Sequence, residues 1–518
     1  MKKKSTFQSA SFERCALISL FVVLVGTFLA LLAAANPSSG DKFRNASKSH
    51  APTSSKLTTR VSVRATPDAV LLDHSLVSKG EFVSPATGET RLARPWGNTL
   101  WMVDDPNAIA DGVRIDSNNV WGAWILTGAR LSIYAITGNG SPLWEFSSFN
   151  SGNTGVTAAK GSDRAGLMES NAAGNEFLQH GFTSASNGTP DWSYQYPVSD
   201  PNLPASSFKV AVSRDGSTMA AIVSDSTTQN STLYIFDAAT GTITRTWTNS
   251  LRMDAVALTD NGSLALVTQD NQATLIDTAT GNIEFTATGS GAGSIYYPIS
   301  GDGSVFVVGG FAFDVYAFNG TTYNRVIHFT QANSWFGQAS TVSRDGSTVG
   351  TFAGNYANNW LTGAVMLFDV PSRQLLGSYP VSGTGLYQGT PIGAASNDNG
   401  LVMAFASWGT QFHDWPEVMV FNRSVQLIGQ INFPGSAFSV DVSSDGQYVV
   451  GGSKHVHANV FGSGGRIELI QLQVTPTPTP SPSPTATATA TPTPTPTATA
   501  TPRSTPTPRP RPTAHPRP

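Results

Sequence analysis

Along the middle of the chain, short apolar runs of strand length recur in pairs, each pair split by a polar turn of the form Ser/Thr-x-Asp/Asn-Gly. The clearest copies read VAVSRDGSTMAAIV around Asp215 and Gly216, VALTDNGSLALV around Asn261 and Gly262, and YPISGDGSVFVVGG around Asp302 and Gly303. They continue as TVSRDGSTVGTF around Asp345 and Gly346, AASNDNGLVMAF around Asn399 and Gly400, and VDVSSDGQYVVGG around Asp445 and Gly446. The six glycines lie 41 to 54 residues apart. Asp-Gly and Asn-Gly suit tight hairpins because both turn positions are expected at positive φ, which Gly, Asn and Asp adopt at least cost. Two irregular copies, Asp116 to Asn119 and Ser162 to Arg164, precede them and bring the count to eight, with seven as the alternative.

Each unit continues into a second hairpin. LYIFDAATGTITRTW turns at Thr240 and Gly241, ATLIDTATGNIEFTA at Thr280 and Gly281, and VYAFNGTTYNRVIHF at Gly320. Two hairpins make four antiparallel strands, one blade of a β-propeller. The pattern therefore predicts an all-β chain with a single propeller of about eight four-stranded blades over residues 66–474. The last unit offers Arg466 to Gln473 as a third strand and then runs into proline, so a fourth must come from elsewhere. The segment EFVSPATGETRLARPW resembles the end of a repeat, and Glu89 to Trp96 is expected to pair with Arg466 to Gln473 and close the ring.

The ends differ from this middle. Lys2, Lys3, Lys4 and Arg14 precede an uncharged run from Cys15 to Ala35 that closes on Ala33, Ala34 and Ala35. Such a segment orients its N-terminus to the cytoplasm, so the remainder is expected to be extracytoplasmic. The run is long enough for a retained membrane anchor and also ends in a signal-type cleavage pattern, so residues 1–35 are read as either. Residues 36–65 are polar and read as a disordered spacer, and residues 475–518, almost wholly Pro, Thr, Ala and Ser, as an extended disordered tail.

Composition narrows the chemistry. Only 13% of the 518 residues are charged and the net charge is -3, which offers no general attraction for nucleic acid. Cys15 is the sole cysteine, which rules out an internal disulfide and a thiolate metal cluster.

The Ser-x-Asp-Gly-Ser turns resemble bacterial WD40-like and YVTN repeats, and LYIFDAATG and GSPLWEF resemble the quinoprotein (PQQ)-like repeat. The resemblance covers roughly Glu81 to Gln473 and implies the fold rather than an activity. Quinoprotein dehydrogenases carry a vicinal cysteine pair that this chain lacks, so no quinone site is carried over and no cofactor is assigned.

No phosphate loop, Gly-x-Ser-x-Gly elbow or His-Glu-x-x-His helix is present in the propeller region. Asp104, Asp105, Asn107 and Asp111 could offer oxygen ligands to a hard cation, but a solvated turn is the simpler reading. His455 and His457, with His413 or Asp414, could supply zinc or copper ligands; two histidines in a loop are weak grounds, and no metal is assigned. In a propeller, the loops joining second and third strands and those joining successive blades share one face. Three such loops are long and aromatic: the first holds Tyr356, Asn359 and Trp360. The second holds Trp408, Gln411, Phe412, His413, Asp414 and Trp415, and the third His455, His457 and Asn459. Trp335 and Phe336 are expected on the same face in a blade-to-blade loop. Rings and amides together suit a glycan, peptide or protein ligand, against the competing reading that the rings pack beneath their own loops. The expectation is thus a non-catalytic extracytoplasmic binding or scaffold propeller. The alternative is a propeller enzyme of hydrolase, lactonase or oxidoreductase type with a central-channel site.

Overall fold

The computed structural model describes residues 97–472, less 127, 149–153, 172–175, 198–205, 226–227, 229, 270–271, 289–297, 311 and 331–334, together with 63–65 and 70–72. Eight four-stranded antiparallel blades form a ring. Blades 1 to 4 span residues 109–147, 154–195, 206–249 and 253–288, and blades 5 to 8 span 299–330, 335–382, 391–431 and 437–471. Both irregular repeats form true blades, so the ring has eight rather than seven. In blade 5 the innermost position is marked by Ile299, bridged to Phe306, and the outer strand Tyr323–Thr330 gains Val70–Leu72 in parallel and Val63–Ala65 beyond it.

The repeated turn is built differently from the expectation that both turn positions take positive φ. Only the glycine does: Gly216, Gly262, Gly303, Gly346, Gly400 and Gly446 lie between +65° and +77°, and no Asp or Asn of these turns joins them. In blade 3, Gly216 N donates to Ser213 O at 3.0 Å while Ser213 N donates to Thr218 O at 2.8 Å, a type I turn followed by a left-handed glycine. The Ser213 hydroxyl donates to Asp215 Oδ1 at 2.7 Å and accepts Thr218 N at 3.0 Å, so the Ser and Asp of the motif lock one hairpin end. The same pair of bonds recurs through Ser300, Ser343 and Ser443, and through Thr259 and Asn397 where the sequence varies.

These turns also join the blades. A Cβ on Gly216 would fall 2.1 Å from Ser162 Oγ of blade 2, and one on Gly400 would fall 2.5 Å from Thr348 Cβ of blade 6. Glycine is thus needed for its φ and for the close approach of the preceding blade. Beside it runs a belt of backbone hydrogen bonds from blade to blade: Gly161 N to Arg214 O, Asp215 N to Asp260 O, Asp260 N to Gly301 O, Gly301 N to Arg344 O, Asp345 N to Asp398 O and Asp398 N to Ser444 O, at 2.8 to 3.1 Å. Further out, apolar faces interleave between neighbours. Trp121 and Leu131 of blade 1 meet Leu167 and Phe182 of blade 2, and Phe352 of blade 6 meets Phe405 and Phe421 of blade 7. Truncating one such buried ring to alanine costs about 3–5 kcal/mol.

Ring closure uses another segment than expected. The final strand Gly465–Gln471 pairs on one side with Tyr448–Lys454 and on the other with Asn98–Asp105, in register from Asn98↔Gln471 to Asp105↔Gly465. Both edges are taken, so no place remains for Glu89 to Trp96, which lies outside the described residues. The physical reason is that the closing strand must pass directly into blade 1. Asp105 accepts the amides of Asn107 and Ala108, turning the chain straight into that blade, while Trp101 is buried against Tyr134 and donates to Ile136 O at 3.2 Å. A chain beginning at Gly97 should keep the association state of the full chain and unfold in one sharp transition. One beginning at Pro106 should leave the Gly465–Gln471 edge open and associate or melt in stages, as read by size-exclusion chromatography and thermal denaturation. Identical behaviour of the two would refute the closure.

Candidate functional site

The innermost strands surround a central cavity of about 620 Å³. In six of the eight, a register shift near the loop face inserts an extra residue, as between Ala110 and Gly112 or Pro391 and Gly393. The residue inserted in blade 1 is Asp111, which lines the cavity; burial pushes its carboxyl up to about 6, partly offset by Thr154 and the charge of Lys209. The walls below are largely apolar, with Val156, Val212, Leu258, Val342 and Val440.

At the turn face the cavity is crossed by ion pairs. Arg214 of blade 3 forms a bidentate pair with Asp398 of blade 7, both bonds at 2.8 Å, directly across the ring. Arg344 meets Asp260 at 2.5 Å and Lys160 meets Asp441 at 3.0 Å. Each carboxylate here faces a cation, an arrangement that ties non-adjacent blades together.

The opposite face carries the long loops over blades 6 to 8. The loop after Asn355 is a single 3-10 turn, Tyr356–Asn358, capped by the Asn355 side chain, and Asn359 and Trp360 come next at φ +59° and +60°. That geometry turns the Trp360 ring inward, where it is 8% exposed. In the next loop Trp415 is 4% exposed and donates its indole N–H to Ser407 Oγ at 3.0 Å. Tyr356, Trp408, Gln411 and His455 are half-buried, and Asn359, His413 and Asp414 are exposed. Trp335 opens the innermost strand Trp335–Val342 of blade 6 and is paired with Asn355, rather than lying in a blade-to-blade loop. The two candidate indoles Trp360 and Trp415 therefore act as pillars under the loops.

What they support is a cross-linked shelf centred on the connection from blade 6 to blade 7. Thr384 N donates to Asp414 Oδ2 at 2.7 Å, Leu386 N to Gln411 Oε1 at 2.9 Å, Gln388 N to Asn459 Oδ1 at 3.1 Å and Gly389 N to Asn359 O at 3.1 Å. Tyr387 stacks on His457, with ring centroids 4.8 Å apart. His457 is buried and held neutral. Burial pulls its pKa down, its Nε2 lies 3.3 Å from the Gly409 carbonyl, and its Nδ1 accepts Asn459 N at 3.1 Å. Gln411, Asp414 and Asn459 stand out in the sequence as ligand contacts, but in the structure their side-chain oxygens are spent on loop backbone.

The two loop histidines diverge. His455 reaches Asp104 at 2.9 Å while His457 faces Gly409. Among the described residues no group of three or more His, Cys, Asp or Glu side chains is placed to hold a metal. Asp105 caps its own turn and pairs with Arg130 at 2.7 Å, whereas Asp111 of the same acidic stretch lies in the cavity wall and not in a solvated turn.

Three side chains rise from the shelf into solvent: Phe461 is 91% exposed, Leu386 81% and Phe412 63%. They are the most exposed large apolar residues among those described, and all sit on the loops over blades 6 to 8. Leu386 and Phe461 are not among the residues that the sequence singles out. The available signal is a lone large apolar residue among glycines, as in GTGLYQG and VFGSGG. No protein-family model matches the chain, and no curated protein sequence matches it.

His413 and the buried Glu417 add a pH-dependent brace. Its Nδ1 lies 2.6 Å from Glu417 Oε1, and this hydrogen bond raises the His413 pKa above its ordinary value. A raised histidine pKa stabilises the fold fully below the unfolded value and loses that contribution as pH rises through the folded one. His413→Gln should therefore lower the melting temperature more at pH 6 than at pH 9. Because His413 is nearly half exposed, solvent screening keeps the difference small. An equal loss at both pH values would rule the brace out.

Proposed function

We propose that this propeller is a binding protein that holds a peptide or an exposed protein segment against the loop face of blades 6 to 8. The observation that carries the reading is the clustering of Phe461, Leu386 and Phe412 on one hydrogen-bonded shelf. Loops already cross-linked by hydrogen bonds need little further backbone ordering on binding, and exposed phenylalanines match the aromatic enrichment of interface cores. Burial of Trp360 and Trp415 removes the flat indole faces that would stack on a sugar, which favours a peptide or protein over a glycan. The lysine-led apolar segment at the N-terminus and the Pro/Thr-rich tail support display outside the cytoplasm, secreted or tethered.

The test is a peptide and glycan array probed with residues 66–474, intact and with Phe412, Leu386 and Phe461 changed together to serine. Peptide signals should fall at least about tenfold in the triple variant while its melting temperature stays within a few degrees. Unchanged peptide signals, or signals confined to glycans, would overturn the reading.

A further inference from the structure

Far from the loop shelf, the outer three strands of blade 2 bring together a serine, a histidine and a glutamate in series. Ser193 lies on the edge strand Trp192–Gln195, His180 on its neighbour Phe177–Thr183 and Glu169 on the next strand, Arg164–Ser170. Ser193 Oγ is 2.7 Å from His180 Nδ1, and His180 Nε2 is 3.0 Å from Glu169 Oε1. Glu169 and His180 are buried while Ser193 is exposed, so the chain of hydrogen bonds runs from the interior to solvent. A buried carboxylate accepting Nε2–H leaves the proton off Nδ1, whose lone pair then accepts the serine hydroxyl hydrogen. This is the order of contacts that activates a serine nucleophile, with the two ring nitrogens exchanged relative to the common arrangement.

We propose that Ser193 is an acylatable nucleophile, with His180 as its general base and Glu169 as the positioning residue, acting on small carboxylic esters. The proposal stands apart from peptide binding at the loop face. In the step, Ser193 Oγ bonds to the ester carbonyl carbon as its proton passes to His180 Nδ1. The carbonyl oxygen takes the negative charge, and the alkoxide then leaves with the proton from His180, giving an acyl-serine that water hydrolyses by the same route. The register supplies one oxyanion donor. Tyr196 N bonds to Phe177 O, which makes the His180–Ser193 pair one without mutual backbone hydrogen bonds, so the Ser193 N–H points away from Phe177–Thr183, off an edge that no other strand among the described residues pairs with. Phe146 of blade 1 lies against the imidazole with centroids 5.1 Å apart and against Phe182 at 5.3 Å, so inter-blade packing holds the ring in place.

The experiment labels the full chain, native and heat-denatured, with a fluorophosphonate probe and maps the modified serines by mass spectrometry. In labelling, Oγ bonds to phosphorus, fluoride leaves, and the proton passes through His180 to water. Native Ser193 should react on the order of 10²-fold faster than the denatured chain. His180→Gln should abolish this excess, and Glu169→Gln should change its pH profile while the melting temperature confirms a folded ring. Ser193 reacting no faster in the native than in the denatured chain overturns the proposal, whatever the variants do. A native rate unaffected by His180→Gln overturns it as well.

Discussion

The ring depends on one contact repeated around its turn face: a glycine at positive φ pressed against the turn of the blade before it. Only there do the hairpin, the neighbouring blade and the central cavity meet. The Ser-x-Asp-Gly motif serves all three at once, since Ser and Asp close the hairpin, Gly admits the neighbour, and the variable residue between Ser and Asp faces the cavity. That variable position supplies Lys160, Arg214, Asp260, Arg344 and Asp398, five of the six charges paired across the cavity, the sixth being Asp441 of an innermost strand, so non-adjacent blades are joined by side chains as adjacent ones are by backbone.

A rigid turn face leaves the opposite face free to vary. Over blades 6 to 8 the loops there have lengthened into a shelf braced by buried Trp360 and Trp415. The bracing explains how such a shelf can hold Phe461 and Leu386 in solvent without the loops folding over them. Backbone amides of residues 384 to 389 are already bonded to Asp414, Gln411, Asn459 and Asn359, so collapse would break hydrogen bonds to bury apolar surface.

Blade 2 shows a different use of the same architecture. The strands beyond the innermost one do not line the cavity, so a polar series such as Glu169, His180 and Ser193 can be built there beside the apolar contacts of Phe182 that join blades 1 and 2. Phe146 from blade 1 packs against the imidazole, and Ser193 and Glu169 take its two ring nitrogens.

By itself the sequence determined the all-β class, the four-strand repeat, the count near eight and the need for a borrowed strand, because each depends on local turn chemistry and on short apolar runs of strand length. It also placed the long loops on one face, since that results from strand order alone. Tertiary structure decided what no local pattern encodes. It chose Asn98–Asp105 over Glu89 to Trp96, because the closing strand must run directly into blade 1. It turned Trp360 and Trp415 inward and left Phe461, Leu386 and Phe412 outside, because exposure is set by how loops from separate blades pack. It aligned Ser193 with His180 and Glu169, because cross-strand register puts residues 11 to 13 positions apart in chain side by side in space.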